Sequence, residues 1–404
     1  MVSSGVYVAG VPGSIPFSDT QAGGSAVTPP NNNATPHLRV QQGYSTNTDV
    51  NEAVRELAAQ IRQPESKICL AFFSDEYDQQ QLGQALQEHL PGLVIGCTTA
   101  GQISSVGFQR GGINGMTLAG DQLIAVTYLI HPLAALLEQV ESIAADVQDR
   151  LNRSGMQAFG LLLVDGLSAQ EELLTASLYR ALGDVPIIGG SAGDMLKFQQ
   201  TFVYHDGLLL RDAATFTLCL TSLPFRVFKL QHFLPTTTRL VITEAEPEKR
   251  LVMEINGEPA VEAYARLIDT PVALLNAAVF SRHPLMLRIG DDYYIRSVAG
   301  IEPNGALKFF CAIDRGLVLT IGEGYSAQEA LAQNFRHIRE EIGEPAVIIG
   351  CDCILRRLEM EARGIDDQIG QMMSQSKVFG FSTYGEQFNS LHVNQTFTAV
   401  AIGG

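Results

Sequence analysis

Apolar positions in this chain switch between two periods, and the switching outlines a repeated architecture. Three short runs that are almost wholly apolar, at 68–73, 159–164 and 346–350, read as buried strands. Helical spacing follows each of them. Leu82, Ala85, Leu86 and Leu90 form one face after the first run, and Leu174, Leu178, Ala181 and Leu182 after the second. After the third come Ile354 with Leu358, then Ile365, Ile369, Met372 and Met373. Each helical stretch leads into a second apolar run that ends in a similar phrase: VIGCTTAGQI from Val94, PIIGGSAGDML from Pro186 and KVFGFSTYGEQF from Lys377. Helical spacing between two apolar strands predicts β-α-β crossovers, which are right-handed and place their strands parallel. Beyond each phrase, MTLAGDQLIAVTYL, TFVYHDGLLLRDAATFTLCL and LHVNQTFTAVAI alternate enough to predict antiparallel strands added to a mixed sheet.

An earlier helix is expected with Thr48 or Asp49 as its cap and Val50, Val54, Leu57, Ala58 and Ile61 along one face. Between the second and third units lies a different block. It holds FRVFKLQHFL, then RLVITEAEPEKRLVMEING, in which Asn256-Gly257 is a hairpin turn signal. A helix over 259–268 follows. LMLRIG, YYIRSVAG, LKFFCAI and GLVLTIG then read as an antiparallel meander, and a helix over 326–341 leads into the third unit. The expected fold class is α/β: two domains built on mixed sheets, with repeated β-α-β units and antiparallel additions. The boundary is placed just before the 259–268 helix, giving domains of 37–260 and 261–404. Residues 1–36, rich in Gly, Ser, Pro and Asn, read as a flexible extension.

Composition narrows the function classes. In 404 residues, 46% are hydrophobic and only 17% charged, which describes a well-buried globular chain. A formal charge of −16 repels phosphate backbones and anionic headgroups, so neither nucleic acid nor a membrane surface is an expected partner. No apolar run approaches the ~18 residues of a bilayer span. No basic residue precedes Arg39, unlike the start of a secretory signal. Six scattered cysteines, several of them in apolar strands, read as buried thiols of a reducing compartment. The expected location is cytoplasmic.

The glycine–hydroxyl–glycine phrases carry the candidate chemistry. Turns of this kind offer bare backbone N–H groups and hydroxyls to a small ligand; a tight turn for close strand packing is the alternative reading of the same glycines. Thr98, Thr99, Ser191, Ser382, Thr383 and Tyr384 supply the hydroxyls. Asp165 and Asp352 stand at the carboxyl ends of repeat strands, where open α/β sheets bind ligands. Gly189-Gly190-Ser191-Ala192-Gly193 matches a nucleophile elbow, but no helix follows directly, and the other two repeats put Thr or Ser in the same turn. Gly322-Glu323-Gly324-Tyr325-Ser326-Ala327 resembles a dinucleotide fingerprint with an acid where phosphate would sit, and Ser326 as a helix cap explains it equally. Cys351-Asp352-Cys353 lacks the two further ligands of a structural zinc site. Of eight histidines, His232 shares a face with Phe228, Leu230 and Leu234, His283 precedes an apolar strand, and His392 lies just beyond the third phrase.

Taken together, VIGCTTAGQI, GGSAGD, LVITEAEPEKRLVMEINGEPAVEAY, CDCILRRLE and GFSTYGEQFNSLHVNQTFTAVAIG resemble a two-part FIST sensory protein. The resemblance places FIST N over roughly 60–260 and FIST C over roughly 261–404, and its nearest branch is the haem-containing, nitric-oxide-sensing NosP type. That resemblance implies a sensor rather than an enzyme. It implies haem b, nitric oxide as ligand, and output through a separate histidine kinase or cyclic-di-GMP enzyme. His232, His283 and His392 are the candidate iron ligands, with Arg282 or Arg288 as propionate partners. A FIST sensor of a small metabolite such as an amino acid, without haem, is the first alternative; a serine hydrolase using Ser191 is the second. An exposed sheet edge in the second domain would allow a homodimer.

Overall fold

The computed structural model describes residues 38–404; the extension expected over 1–36, and His37 with it, lie outside the described residues. Three six-stranded mixed sheets share one plan. The first runs Arg39–Ser45, Ile113–Ala119, Ser66–Phe73, Val94–Thr98, Val203–His205, Leu208–Leu210. The second runs Leu123–Ile130, Ala214–Thr221, Gln157–Val164, Ile187–Ser191, Glu386–Phe388, Leu391–Val393. The third runs Phe225–Leu230, Phe397–Gly403, Pro345–Cys353, Val378–Thr383, Gln102–Ser104, Gly107–Gln109. In each sheet the third and fourth strands are the parallel pair, with Cys69 opposite Val94, Gly160 opposite Ile187 and Ile348 opposite Val378. Every other pairing is antiparallel, as the alternating segments predicted.

These strands read as continuous apolar runs because both of their faces are covered. Phe72, Phe159, Ile188, Ile349 and Phe381 meet in one core shared by all three sheets. There Phe72 stacks on Phe381 with ring centroids 4.3 Å apart. Separate outer cores lie under the crossover helices Gln79–His89, Glu171–Leu182, Ile354–Arg363 and Asp366–Gln375.

The last two strands of each sheet are a hairpin borrowed from another unit. The hairpin after the first phrase completes the third sheet, the one after the second completes the first, and the one after the third completes the second. The loan therefore closes into a ring.

The third unit carries an insertion. Between Phe225–Leu230 and Pro345–Cys353, an antiparallel sheet of eight strands includes Phe233–Glu246, Leu251–Ile255, Leu285–Ile289 and Val318–Gly324. It has its own core around Ile242, Val252, Tyr264 and Leu319. Asn256 and Gly257 turn its hairpin with φ of 54° and 79°, matching the Asn-Gly signal. The sheet continues across residue 260, since Val241 pairs with Val318 and Val252 with Leu307. Ser326 caps the helix Ala327–Ile342, accepting from Glu329 N at 3.2 Å, which accounts for the glycine-rich stretch before it.

A Cβ added at Gly193 would sit 2.8 Å from the Ala100 backbone nitrogen, where two bends touch. Gly193→Ala is expected to cost about 1–3 kcal/mol, read as a lowered denaturant midpoint. Gly300→Ala, whose added carbon meets nothing within 4 Å, is expected to leave the midpoint unchanged.

Candidate ligand-binding site

The three glycine phrases meet, and they bond to one another. Gly193 N donates to Thr98 O at 3.0 Å, and Ala100 N to Ser382 O at 3.0 Å. Ser382 N donates to Gly101 O at 2.7 Å, Ser191 N to Gly385 O at 2.8 Å, and Tyr384 N to Ser191 O at 3.2 Å. Most side-chain hydroxyls in the bends are likewise engaged. Thr98 Oγ1 accepts from Phe202 N at 2.9 Å. Thr99 Oγ1 accepts from Gly101 N and from Gln102 Nε2, each at 3.3 Å. Ser191 Oγ accepts from Gln387 Nε2 at 3.0 Å, and an amide cannot take the proton a nucleophilic serine must lose. Asp165 accepts from Leu167 N at 3.1 Å, Asp212 N at 2.7 Å and the Thr201 hydroxyl. Ser382 Oγ is buried without a partner among the described residues.

Thr383 donates to Glu386, a fully buried carboxyl that also accepts from Thr396 Oγ1 at 2.7 Å. Burial pushes the Glu386 carboxyl up to about 8, against the opposing pull of the two threonine hydroxyls.

Asp352 begins a chain of buried charges under the helix Ile354–Arg363. Arg356 Nε donates to Asp352 Oδ1 at 2.7 Å, and its Nη1 lies 2.8 Å from His232 Nδ1. His232 Nε2 lies 2.6 Å from Glu359 Oε2, and Arg363 Nη2 lies 2.9 Å from Glu359 Oε1. A guanidinium only donates, so His232 Nδ1 must accept and the ring proton sits on Nε2, facing Glu359. Burial holds His232 below its ordinary value, consistent with this neutral tautomer. Both of its ring nitrogens are thereby spent.

The other two candidate imidazoles lie apart from it. His392 is buried, with Nδ1 at 3.3 Å from Gln387 Nε2; its Nε2 has no partner among the described residues and is packed against Gly385. Half-buried His283 ends the helix Ala277–Arg282, and its carbonyl accepts from Tyr264 OH at 2.7 Å. Arg282 and Arg288 are exposed; Arg282 Nε donates to Ala278 O at 3.2 Å, and Arg288 lies 3.4 Å from Asp291. Among the described residues, no group of three or more His, Cys, Asp and Glu is placed to hold a metal ion.

Beside the bends, a cleft of about 580 Å³ opens between the insertion and the second unit. Phe198, Arg250, Lys308, Phe309, Phe310 and Tyr384 line it, with Tyr384 the one bend residue that reaches it. Its rim is strained. Met195, Leu196 and Phe198 have φ of 53°, 65° and 52°, left-handed values that side chains with a Cβ rarely adopt. Asp194 holds the loop there by accepting from Phe198 N at 2.9 Å, Gln199 N at 2.7 Å and Gln200 N at 3.0 Å. The Tyr384 hydroxyl donates to Asp194 and accepts from Leu196 N at 2.6 Å, coupling the third phrase to this loop. Arg250 is held by Glu171 at 2.6 Å, Glu172 at 2.7 Å and the Phe310 carbonyl at 2.8 Å. Sequence reasoning missed Phe198, Arg250 and Phe310. Phe310 stood inside LKFFCAI and Arg250 inside RLVITEAEPEKRLVMEING, segments read only for their strand and turn signals, and Phe198 stood in the stretch just after the second phrase.

Known proteins place this architecture. The FIST N domain model matches residues 67–258 and the FIST C domain model residues 260–389, so the chain belongs to the FIST family. FIST domains point to a sensory role in signal transduction. The chain is 24% identical over 235 residues to uncharacterised protein MJ1623 of Methanocaldococcus jannaschii. That alignment covers 56% of this chain and 45% of the relative, so the chain spans about half of that protein. A solved structure titled as cyanuric acid hydrolase aligns over 91% of this chain and 99% of its own, at 8% identity and a TM-score of 0.33. A likeness that low carries no argument. Among the described residues, no helix is long and apolar enough to cross a membrane.

The folded Glu386 carboxyl titrates near 8 against an ordinary value of 4.5. Its neutral form therefore favours the fold fully below about pH 4.5, and that contribution is lost as pH rises through about 8. Glu386→Gln is expected to flatten the fall in unfolding free energy over this interval, measured by denaturant titration at successive pH values.

Proposed function

We infer that the protein is a sensor that seats a small organic ligand in the cleft where the FIST N and FIST C regions meet. The observation that carries this reading is the composition of the cleft wall. Gly166, Phe198 and Arg250 come from the N region, while Gly300, Phe310 and Tyr384 come from the C region. A ligand bound there touches both regions and can bias their relative arrangement, because it contacts one state differently from another. The strained Asp194 loop at the rim supports the same reading, since strain of this kind collects at ligand clamps and switches. In this reading the glycine phrases form the rigid floor of the site.

The narrower version, haem with nitric oxide and a separate histidine kinase or cyclic-di-GMP partner, requires an imidazole open to iron. The residues lining the cleft include no His, Cys or Met. His232 has both ring nitrogens occupied, and the free nitrogen of His392 is packed against Gly385. These residues do not fit a haem at this cleft.

Gly300→Phe adds a ring where nothing lies within 4 Å of the new Cβ, so it fills the cleft with little strain. A thermal-shift screen of small metabolites is expected to give ligands that stabilise the native protein and not Gly300→Phe. At a hundredfold excess over Kd the gain is about 2.7 kcal/mol. Ligands that stabilise both proteins equally would overturn the assignment of the cleft. Hemin is expected to give no Soret band of a ligated protein; a band abolished by His392→Ala would replace this reading with the haem one.

A further inference from the structure

We propose that the cleft selects a small organic cation, an alkylated ammonium group held against aromatic rings. This rests on the cleft being the sensory site and names its class of ligand. Three rings bunch on one wall. Phe198 lies 5.0 Å from Tyr384 and 5.8 Å from Phe310, and Phe310 lies 6.1 Å from Tyr384, centroid to centroid. Each ring has a negative face that attracts a cation, and a desolvated wall strengthens the attraction. Burial, with the hydrogen bond that the Tyr384 hydroxyl donates to the Asp194 carboxylate, keeps the phenol neutral, and that bond enriches its ring in electron density. A carboxylate thus sits behind the rings.

The resident cations do not suit an anion. Arg250 is already paired with Glu171 and Glu172 and donates to the Phe310 carbonyl, at 2.6 to 2.8 Å, so its charge is offset before any ligand arrives. The Lys308 ammonium donates to the Lys249 carbonyl. Glu302, also on the wall, has no cationic partner among the described residues. The wall itself carries Arg250, Lys308 and Glu302; Glu171 and Glu172, which do not line it, pair with Arg250 and bring the sum of this group to one negative charge. The chain's formal charge of −16 draws cations toward it.

Phe198 presents the most open of the three rings to such a group. Its side chain is 44% exposed, and its backbone is held by the Asp194 carboxylate and not by a sheet.

Three probes of one shape and different charge decide the matter by titration calorimetry: choline, 3,3-dimethyl-1-butanol and 3,3-dimethylbutanoate. Choline is expected to bind at least tenfold more tightly than the neutral alcohol, and the carboxylate not to bind. Phe198→Leu and Phe310→Leu, which keep apolar bulk, are expected to weaken choline about 3- to 30-fold while leaving the alcohol unchanged. Gly300→Phe is expected to abolish choline binding. If the alcohol matches choline, if the carboxylate binds best, or if the leucine variants bind choline undiminished, the inference falls. The cleft as a sensory site survives those outcomes, because metabolites blocked by Gly300→Phe would still identify it. Should choline bind equally to native protein and Gly300→Phe, the inference falls with it.

Discussion

The backbone hydrogen bonds that tie bend to bend are the constraint on which the rest of the molecule depends. Gly193 to Thr98, Ala100 to Ser382 and Ser191 to Gly385 connect three phrases drawn from sequence positions almost three hundred residues apart. Such bonds need backbones in close approach, and at Gly193 a single added carbon would collide with Ala100. This explains why small residues and short hydroxyls recur in all three phrases. They are there first to let strand ends touch, and in touching they saturate most of their own polar groups. A ligand is left with the space beside the bends, where Tyr384 reaches the cleft wall and bonds to Asp194 of the loop that carries Phe198.

Charge is distributed accordingly. The polar groups at the centre are neutral or paired, because an isolated charge there has no water to face. Glu386 answers this by holding its proton, and Asp352 by pairing with Arg356, which passes the interaction through His232 to Glu359 and outward to Arg363. Removing one member of such a chain costs far more than the chain contributes as a whole, since its neighbours are left charged and dry. The helix Ile354–Arg363 that carries three of these groups also sends Ile354 and Leu355 into the cluster containing Phe310 and Tyr384. The wall of the cleft and the charged chain are therefore two sides of one helix.

Much of the architecture was legible in the pattern of apolar residues. Strand–helix–strand units at 68, 159 and 346 form as parallel pairs, because fully covered strands must be continuously apolar and crossover helices must show a face. The ring of borrowed hairpins was not legible. Gln102–Ser104, Val203–His205 and Glu386–Phe388 are three residues long, and their pairing lies in backbone groups that every residue carries. The insertion was legible as a different block between the second and third units, its hairpin marked by Asn256-Gly257. For the site, the three phrases do meet, but sequence could not show that Asp165 and Thr98 are consumed by Thr201 and Phe202, or that Tyr384 alone among the named hydroxyl and acid residues lines the cleft. Phe198 stayed hidden because the left-handed backbone that aims it leaves no periodic trace, and Phe310 because it read as one more apolar residue of the strand segment LKFFCAI.

The closed loan of hairpins has a consequence for how such a chain can change. In an open stack of repeats, a unit can be added or lost at the end, because each touches only its neighbours. Here every unit owes its edge to another and receives one in return, so deleting any third strands one sheet unfinished and one hairpin homeless. The number three is locked. New material enters where it breaks no loan, inside the span between Leu230 and Pro345, and that is where the cleft acquired its second wall.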